Sequence, residues 1–517
     1  MTKKAVQMLL VVCFLLLPSG AYVHSAAADS PQVLLLYDSL AKETSKEGDV
    51  TVLQQLLAAY SAQVTLVSLD QYERGMMDSY THVITVINSP DLDINNKSYI
   101  EDWEKYQGQY LHIGANLPAK AGLELQAVTK IISGGSMDLN IGSYSAKGIG
   151  VQNIPYIASK GVGSQAYGSI SFTGRELDVP YAVRKEDYTY APYLEKGNLS
   201  ELAMAYVLKD WLPVAATPRT YLVVKEIYPF SDLELLEDLA NSLYRSGIPF
   251  VVSIRPVFSN TDYPAMDRYL EALKVVQFRN GSILVNAPAV MPTIYIEDHT
   301  LQEKMEGFIS LLVQNGIAPL GIGAEMYWTY DKEYAGTGMS FFDSAVLFPD
   351  EKVIYMEQSH TAATFASSLY SLPLSLLQKM QSPDKAKSGY PLNTAITVDF
   401  PKDKQGLAEL LQRLDEAWIS FADYKQADHQ VVTGTDIISS SHGVISINGQ
   451  ELNLQHTPEK VNNDYQYTEE QKKSFTKLFS VQNQFFIVVI ILSLLVFGGL
   501  FAVGFRLYRQ KYMRARK

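Results

Sequence analysis

Residues Phe485–Phe505 form an unbroken run of 21 residues without a charge. As a helix, at about 1.5 Å per residue, the run spans roughly 30 Å, the hydrocarbon thickness of a bilayer. Arg506, Arg509, Lys511, Arg514, Arg516 and Lys517 follow with no acid among them, and the positive-inside rule assigns such a tail to the cytoplasm. A second apolar stretch, from Ala5 to Pro18, stands behind Lys3 and Lys4 and ahead of Ala26-Ala27-Ala28. Basic, apolar, then small residues in that order read as a secretory signal peptide over residues 1–28. The expectation is a single-pass protein of the cell membrane, with an extracellular body, a transmembrane helix over 485–505 and a cytoplasmic tail over 506–517.

The topology changes what charge and cysteine content mean. Eight of the 43 basic residues lie in the leader and the tail, while all 55 acids lie between them, so residues 29–484 carry 35 bases against 55 acids, a net −20. Such a body repels nucleic acid and anionic wall polymers and tolerates neutral or cationic glycans; solubility alone also accounts for it. The single cysteine, Cys13, sits inside the leader. A mature chain without thiols has no disulfides, no cysteine-ligated zinc, no iron–sulfur cluster and no cysteine nucleophile. No cofactor is expected.

The body reads as an α/β protein in several segments. In 29–118, short apolar runs (Val33–Tyr37, Val64–Leu69, His82–Ile87, Tyr110–Ile113) alternate with helical stretches, as in a doubly wound parallel sheet of the flavodoxin or glutamine-amidotransferase kind. Ligands of such sheets bind at the C-terminal strand ends, which here carry Asp38, Ser39, Asn88, Ser89, Gly114 and Asn116. No phosphate-cradling glycine loop follows the first strand, and the amidotransferase cysteine is missing, so a structural or docking role is expected. Residues 119–197, rich in Gly, Ser and Tyr, read as a small β-rich insert. Residues 198–427 open with a helix over Leu199–Leu212 and continue as some seven β/α units, a barrel either complete or incomplete. Expected barrel strands include Tyr221–Lys225, Pro249–Ile254, Ser282–Val285, Thr293–Ile296, Pro319–Ile322, Val353–Met356 and Ala395–Val398. Residues 428–484 read as a polar stalk with a hairpin at Asn448-Gly449 and a juxtamembrane helix over Glu469–Phe479.

Within the barrel, Tyr221–Phe258 (YLVVKEIYPFSDLELLEDLANSLYRSGIPFVVSIRPVF) and Met266–Val285 (MDRYLEALKVVQFRNGSILV) resemble an uncharacterised polysaccharide-deacetylase-like family of Gram-positive surface proteins. The resemblance covers about 200 residues. It implies a deacetylase-like β/α barrel, a polysaccharide partner, and a metal held by an aspartate and an H-x-x-x-H pair, with a second aspartate activating the metal-bound water. This chain departs from that pattern. The acidic pair falls at Lys225-Glu226, the histidine motif falls at Asn286–Val290, and the late proline–histidine motif falls near Glu325-Met326-Tyr327, with no histidine in either. No two of the eight histidines are four residues apart. The barrel therefore reads as a degenerate member, with no metal and with enzymatic activity left uncertain.

Other chemistry remains open at the strand ends. The candidates are Glu226, Glu297-Asp298-His299, Glu325, Glu357, His360 and Asp399. Two carboxylates about 5–9 Å apart suffice for glycoside hydrolysis. Glu297, Asp298 and His299 are the densest catalytic candidates, although Asp298 or Thr300 equally fits a helix N-cap. Glu226, Glu325, Tyr327 and Trp328 are the candidate glycan-binding residues, the two rings offering a stacking face or mere barrel packing. Three functions follow as expectations. One is an accessory protein of exopolysaccharide or cell-envelope glycan production, binding glycan or scaffolding other membrane proteins of a synthesis or export system. Another is an active carbohydrate enzyme, and the third is a purely structural surface protein. Nucleic acid is not an expected partner.

Overall fold

The computed structural model describes residues 30–91, 94–212, 217–288, 300–380, 390–417, 419–454 and 476–512. The expected leader, the expected strand Thr293–Ile296 and the start of the expected juxtamembrane helix lie outside them.

The first strands are β1 (Gln32–Tyr37), β2 (Gln63–Ser68), β3 (His82–Ile87) and β4 (Gln109–Gly114), parallel and adjacent in the order β2-β1-β3-β4. Helix α1 (Asp49–Ala59) follows β1, and α2 (Lys97–Lys105) follows β3. Strand alternation sends successive side chains to opposite faces. Accordingly Val33 and Leu35 share a core with Leu53 and Leu56 of α1, while Leu34 and Leu36 share another with Tyr99 and Trp103 of α2. Asn96 caps α2, its side chain accepting from the Tyr99 N–H at 3.1 Å, which satisfies one orphan donor of the first turn.

The glycine- and tyrosine-rich stretch holds α3 (Ala119–Leu125) and nine strands: β5 (Val128–Ile132), β6 (Gly135–Ile141), β7 (Tyr144–Val151), β8 (Ile154–Ser159), β9 (Gln165–Tyr167), β10 (Ser169–Phe172), β11 (Asp178–Val179), β12 (Ala182–Lys185) and β13 (Tyr188–Ala191). Three of these return to the first sheet. β13 lies parallel beside β4, and β12 and β9 add an antiparallel edge, giving seven strands in all. The others form a four-stranded sheet, β11-β10-β6-β7, and a ribbon of β5 with β8. Helix α4 (Ser200–Trp211) then leads to the barrel.

Seven parallel strands close that barrel: β14 (Thr220–Ile227), β15 (Phe250–Ile254), β16 (Gly281–Asn286), β17 (Pro319–Glu325), β18 (Ser344–Phe348), β19 (Ser367–Pro373) and β20 (Thr394–Asp399). Strand β20 pairs with β14, so the ring is complete. Helices α5 (Leu233–Arg245), α6 (Pro264–Phe278), α7 (Thr300–Gln314), α8 (Leu374–Lys379) and α9 (Lys404–Ala417) cover its outside. Two elements differ from expectation. Val353–Met356 is not a strand but part of an irregular connection with Val353 and Tyr355 exposed; the apolar run that pairs is Ser344–Phe348. The serine-rich Ser367–Pro373, not among the expected strands, is the sixth barrel strand, with Ser368 and Ser371 buried beside Leu369 and Leu372.

No helix follows β18. Helix α1 of the first sheet packs there instead, against β19, and the Gln55 amide donates to the Leu347 carbonyl of β18 at 3.2 Å. Thr65 of β2 bridges Thr361 of the β18–β19 connection, their hydroxyls 3.0 Å apart. Sheet and barrel thus share one continuous hydrophobic core.

Where composition reads as a polar stalk, β21 (His429–Val432), β22 (Ile437–Ser441), β23 (Val444–Ile447) and β24 (Gln450–Glu451) form an antiparallel sheet, with Asn448-Gly449 turning β23 into β24. Both turn residues have positive φ, 52° and 78°, as a tight hairpin turn requires. This sheet closes the N-terminal end of the barrel. The Val432 N–H donates to the Phe341 carbonyl at 2.8 Å, and Lys425 Nζ reaches Asn280 Oδ1 at 2.9 Å. Tyr424 plugs that end, stacked on His429 at 3.9 Å and edge-on to Tyr221 at 5.3 Å.

A separate unit contains α10 (Thr476–Tyr512). Over Phe486–Arg509 it is long and apolar enough to cross a membrane, and no part of that stretch is buried by the protein itself.

Candidate functional site

With one barrel end plugged, polar side chains collect at the other. Glu226, Arg255, Asn286 and Glu325 stand at or directly beyond the C-terminal ends of four consecutive strands, β14 to β17, where barrels of this kind place their sites.

Glu226 reaches its place through an irregularity. The β14–β15 register shifts between Val224 and Ile227, and Glu226 adopts φ +62°. The left-handed region costs an L-residue about 1–2 kcal/mol, and a bulge re-aims the side chain it carries. Glu226 Oε1 accepts from Arg255 Nη2 at 2.7 Å, while Arg255 Nη1 donates to the Ala287 carbonyl at 2.8 Å. Burial works against the guanidinium's charge, but the hydrogen bond and attraction of Glu226 outweigh it and raise its pKa. The nearby Tyr228 hydroxyl adds to that raising.

Beside them, the buried Ser253 hydroxyl donates to Asn286 Oδ1. Gly323 of β17 allows this packing, because a Cβ there would stand 2.5 Å from that same oxygen. Glu325 has its pKa pushed up to about 7, first by burial and then by Asp350 and Glu351; Arg255 and the Lys352 N–H pull the other way. Asp350 is itself fixed, accepting from the Tyr327 N–H at 2.9 Å.

The remaining strand-end candidates are dispersed. Lys225 Nζ pairs with Asp399 at 3.2 Å, and Lys332 with Glu357 at 2.7 Å. His360 belongs to the sheet–barrel junction, its Nδ1 3.2 Å from the Leu66 carbonyl. Tyr327 and Trp328 are 6% and 2% exposed. Trp328 stacks on Tyr334 at 4.3 Å, and Tyr327 meets Tyr334 and Tyr355 edge-on, so these rings pack inward and present no open stacking face. Glu297, Asp298 and His299 lie outside the described residues. Sequence reasoning misses Arg255, Asn286 and Asp350; Arg255 and Asn286 follow apolar strand runs directly and Asp350 follows one after Pro349, the one signal that marks them.

The described part of the mouth does not fit the metal implied by the deacetylase resemblance. Among the described residues no three His, Cys, Asp or Glu side chains group closely enough to hold an ion. Both positions of the expected acidic pair are also tied to the protein's own cations: Lys225 is one, and Glu226 is bound by Arg255. A guanidinium inside the mouth repels a divalent ion.

A second polar cluster lies at the C-terminal edge of the first sheet. Asp38 accepts from the N–H groups of Ser39 (2.6 Å), Asn88 (2.8 Å) and Ser89 (2.7 Å). The Asn88 amide returns to the Ser39 carbonyl at 3.1 Å, and the Ser39 and Ser89 hydroxyls are 3.0 Å apart. Asn116 reaches the Pro90 carbonyl at 2.9 Å, and Gly114 passes so near β3 that a Cβ would fall 2.2 Å from the Ile87 carbonyl oxygen. These groups satisfy one another and lace β1, β3 and β4 together.

No protein-family model matches the sequence, and no curated protein matches it. Among solved structures, phospho-2-dehydro-3-deoxyheptonate aldolase from Thermotoga maritima aligns at 11% identity, covering 59% of this chain and 94% of that one. Its TM-score of 0.20 is too low to support any conclusion about this chain's fold or activity.

Proposed function

We propose that this chain is a membrane-anchored accessory protein of exopolysaccharide or cell-envelope glycan production. Its body is extracellular, its basic tail cytoplasmic, and its deacetylase-like barrel is a degenerate one that binds glycan or scaffolds partner membrane proteins. One observation carries the reading: the two strand-end positions that would supply metal-site acids are occupied by a lysine and by a glutamate locked to Arg255 at 2.7 Å. What remains is a mouth of fixed donors and acceptors suited to an uncharged polar ligand. The apolar run of α10 and the bases behind it support the anchoring and its orientation. The strand order β2-β1-β3-β4, with helices on both faces, supports reading the first sheet as a doubly wound, flavodoxin-like docking element.

The test uses the full chain in detergent micelles, immobilised and challenged with the exopolysaccharide of the producing cells. Wild type is expected to retain polymer and release neither acetate nor reducing ends. Arg255→Ala strands Glu226 and removes both hydrogen bonds that the guanidinium donates, and is expected to weaken retention about tenfold or more. Acetate release by the wild type overturns the reading.

One observation favours an active enzyme instead. Glu325, its pKa pushed up to about 7, keeps part of its protons at neutral pH and shares the mouth with an arginine-paired Glu226, and a proton donor with a carboxylate in one site is the pairing a glycosidase uses. Reducing ends released by wild type and abolished in Glu325→Gln would establish that alternative.

A further inference from the structure

We infer that the glycan-stacking surface of this barrel is the aromatic pair Tyr228–Phe230, and that its ligand is a neutral glycan of β-linked, gluco-configured pyranoses. The inference rests on the glycan-binding reading above and names the surface and the sugar class.

The residues that first suggest stacking, Tyr327 and Trp328, are turned into the core. The exposed aromatic surface stands on the turn that leaves β14. Tyr228 and Phe230 lie nearly parallel, 22° apart with centroids separated by 4.8 Å, and Phe230 is 83% exposed. A lone surface phenylalanine needs no explanation, but this one is held outward by a braced turn. The Ser231 N–H donates to the Tyr228 carbonyl at 3.0 Å, and the Tyr228 N–H donates to the Ser231 hydroxyl at 3.0 Å. Pro229 fixes its own φ between the two rings. Asp232 next caps α5, accepting from the Leu235 N–H at 3.0 Å. The pair is therefore rigid before any ligand arrives, so binding sacrifices little conformational freedom.

The same turn is joined to the polar mouth through Tyr228, whose hydroxyl approaches Arg255, itself bonded to Glu226 and the Ala287 carbonyl. A flat apolar face at the rim of fixed donors and acceptors matches a pyranose, which has C–H groups on its faces and hydroxyls around its edge. When every ring substituent is equatorial, the anomeric oxygen included, the axial positions carry only hydrogen and both faces are flat, which selects β-linked, gluco-configured units. The charge of the body, −20, disfavours anionic units, and neutral ones fit a mouth whose Glu226 and Asp399 are already paired with Arg255 and Lys225.

The test measures binding of chitohexaose and cellohexaose to the full chain in detergent micelles by titration calorimetry, with retention of the cells' own exopolysaccharide measured in parallel. Phe230→Ala is expected to weaken hexaose binding about tenfold with the melting midpoint unchanged, since the ring is exposed. Phe230→Trp, which keeps a flat face, is expected to restore it. Equal hexaose affinity in wild type and Phe230→Ala overturns the stacking surface while leaving the barrel's glycan-binding role standing. Retention of exopolysaccharide without binding of either hexaose overturns the sugar class. Failure to bind any of the three overturns the glycan-binding reading and this inference with it.

Discussion

Leu56→Ala is expected to destabilise the sheet and the barrel together, by about 3 kcal/mol within the 2–5 kcal/mol range of buried leucine truncations, in a single transition. Leu56 is on α1, sequentially part of the first sheet, yet it lines a cavity of about 10 Å³ with Leu202 and Ala205 of α4, Tyr370 and Leu372 of β19, and Tyr390. Helix α1 takes the place of the outer helix that the barrel lacks after β18. Neighbouring polar contacts reinforce the union. The Tyr60 hydroxyl donates to the Ala205 carbonyl at 2.7 Å, and the Tyr370 hydroxyl of β19 bonds Glu201 of α4. The measurement is denaturant unfolding of wild type and Leu56→Ala, followed by tryptophan fluorescence and far-ultraviolet dichroism. Coincident curves shifted together are predicted, as two-state unfolding demands. A barrel transition left in place while the sheet melts early would contradict the shared core.

Raising the pH from about 4 to 8 is expected to destabilise the body, with Asp49 the main contributor. Asp49 opens α1 and is 2% exposed. Its pKa is pushed up to about 8 by burial, against the opposing pull of the Lys196 N–H at 3.2 Å and of Lys46; Glu195 and Glu201 push it further up. The folded state therefore keeps a proton that the unfolded chain gives up near pH 4. Between those values the native state binds more protons than the unfolded state, so stability falls as pH rises and levels off above about 8. The loss is on the order of 5 kcal/mol if Asp49 titrates alone, and less where Lys46 shares the field. Asp49→Asn keeps an acceptor for the Lys196 N–H and removes the buried charge. It is expected to flatten the profile and to exceed wild type in stability at pH 8. Glu195, Glu201 and Glu325, also raised by burial, leave a residual slope of the same sign, while His82, His112 and His429, lowered by burial, oppose it below about pH 6.5. Denaturant midpoints at pH 5 and 8 for both proteins decide it; a wild-type loss between pH 5 and 8 no larger than that of Asp49→Asn would be inconsistent with a protonated Asp49.

Much of this architecture was legible in local pattern. Val33–Tyr37, His82–Ile87 and Ser282–Val285 announce themselves because a strand buried on both faces is continuously apolar. Ser367–Pro373 does not, since its buried serines only make sense once the barrel closes around them. Val353–Met356 misleads in the opposite direction: four apolar residues with no neighbouring strand to pair with. The polar run beyond Asp428 contributes Val431, Ile438 and Ile445 to the core, a burial that depends on the barrel end beneath it. Of the mouth, Glu226 and Glu325 were readable from their positions after apolar runs. Arg255 as the partner of Glu226 was not, because that pairing is created by the β14–β15 bulge and the left-handed Glu226 backbone. The inward turn of Tyr327 and Trp328 likewise depends on Tyr334 and Tyr355, which arrive from later segments.

The central claim is that the barrel mouth is neutralised by the protein's own cations and works without a metal. It is tested most directly by thermal melts of the full chain in detergent, with chelator and with zinc, cobalt, manganese or nickel in turn. A specifically bound ion at about 100 times its dissociation constant adds roughly 2.7 kcal/mol to the native state, several degrees for a domain of ordinary size. The account predicts the same midpoint, within about one degree, in every condition. A shift of several degrees with one metal, lost in His299→Ala or Asp298→Asn, would contradict it and place an ion site at Glu297–His299.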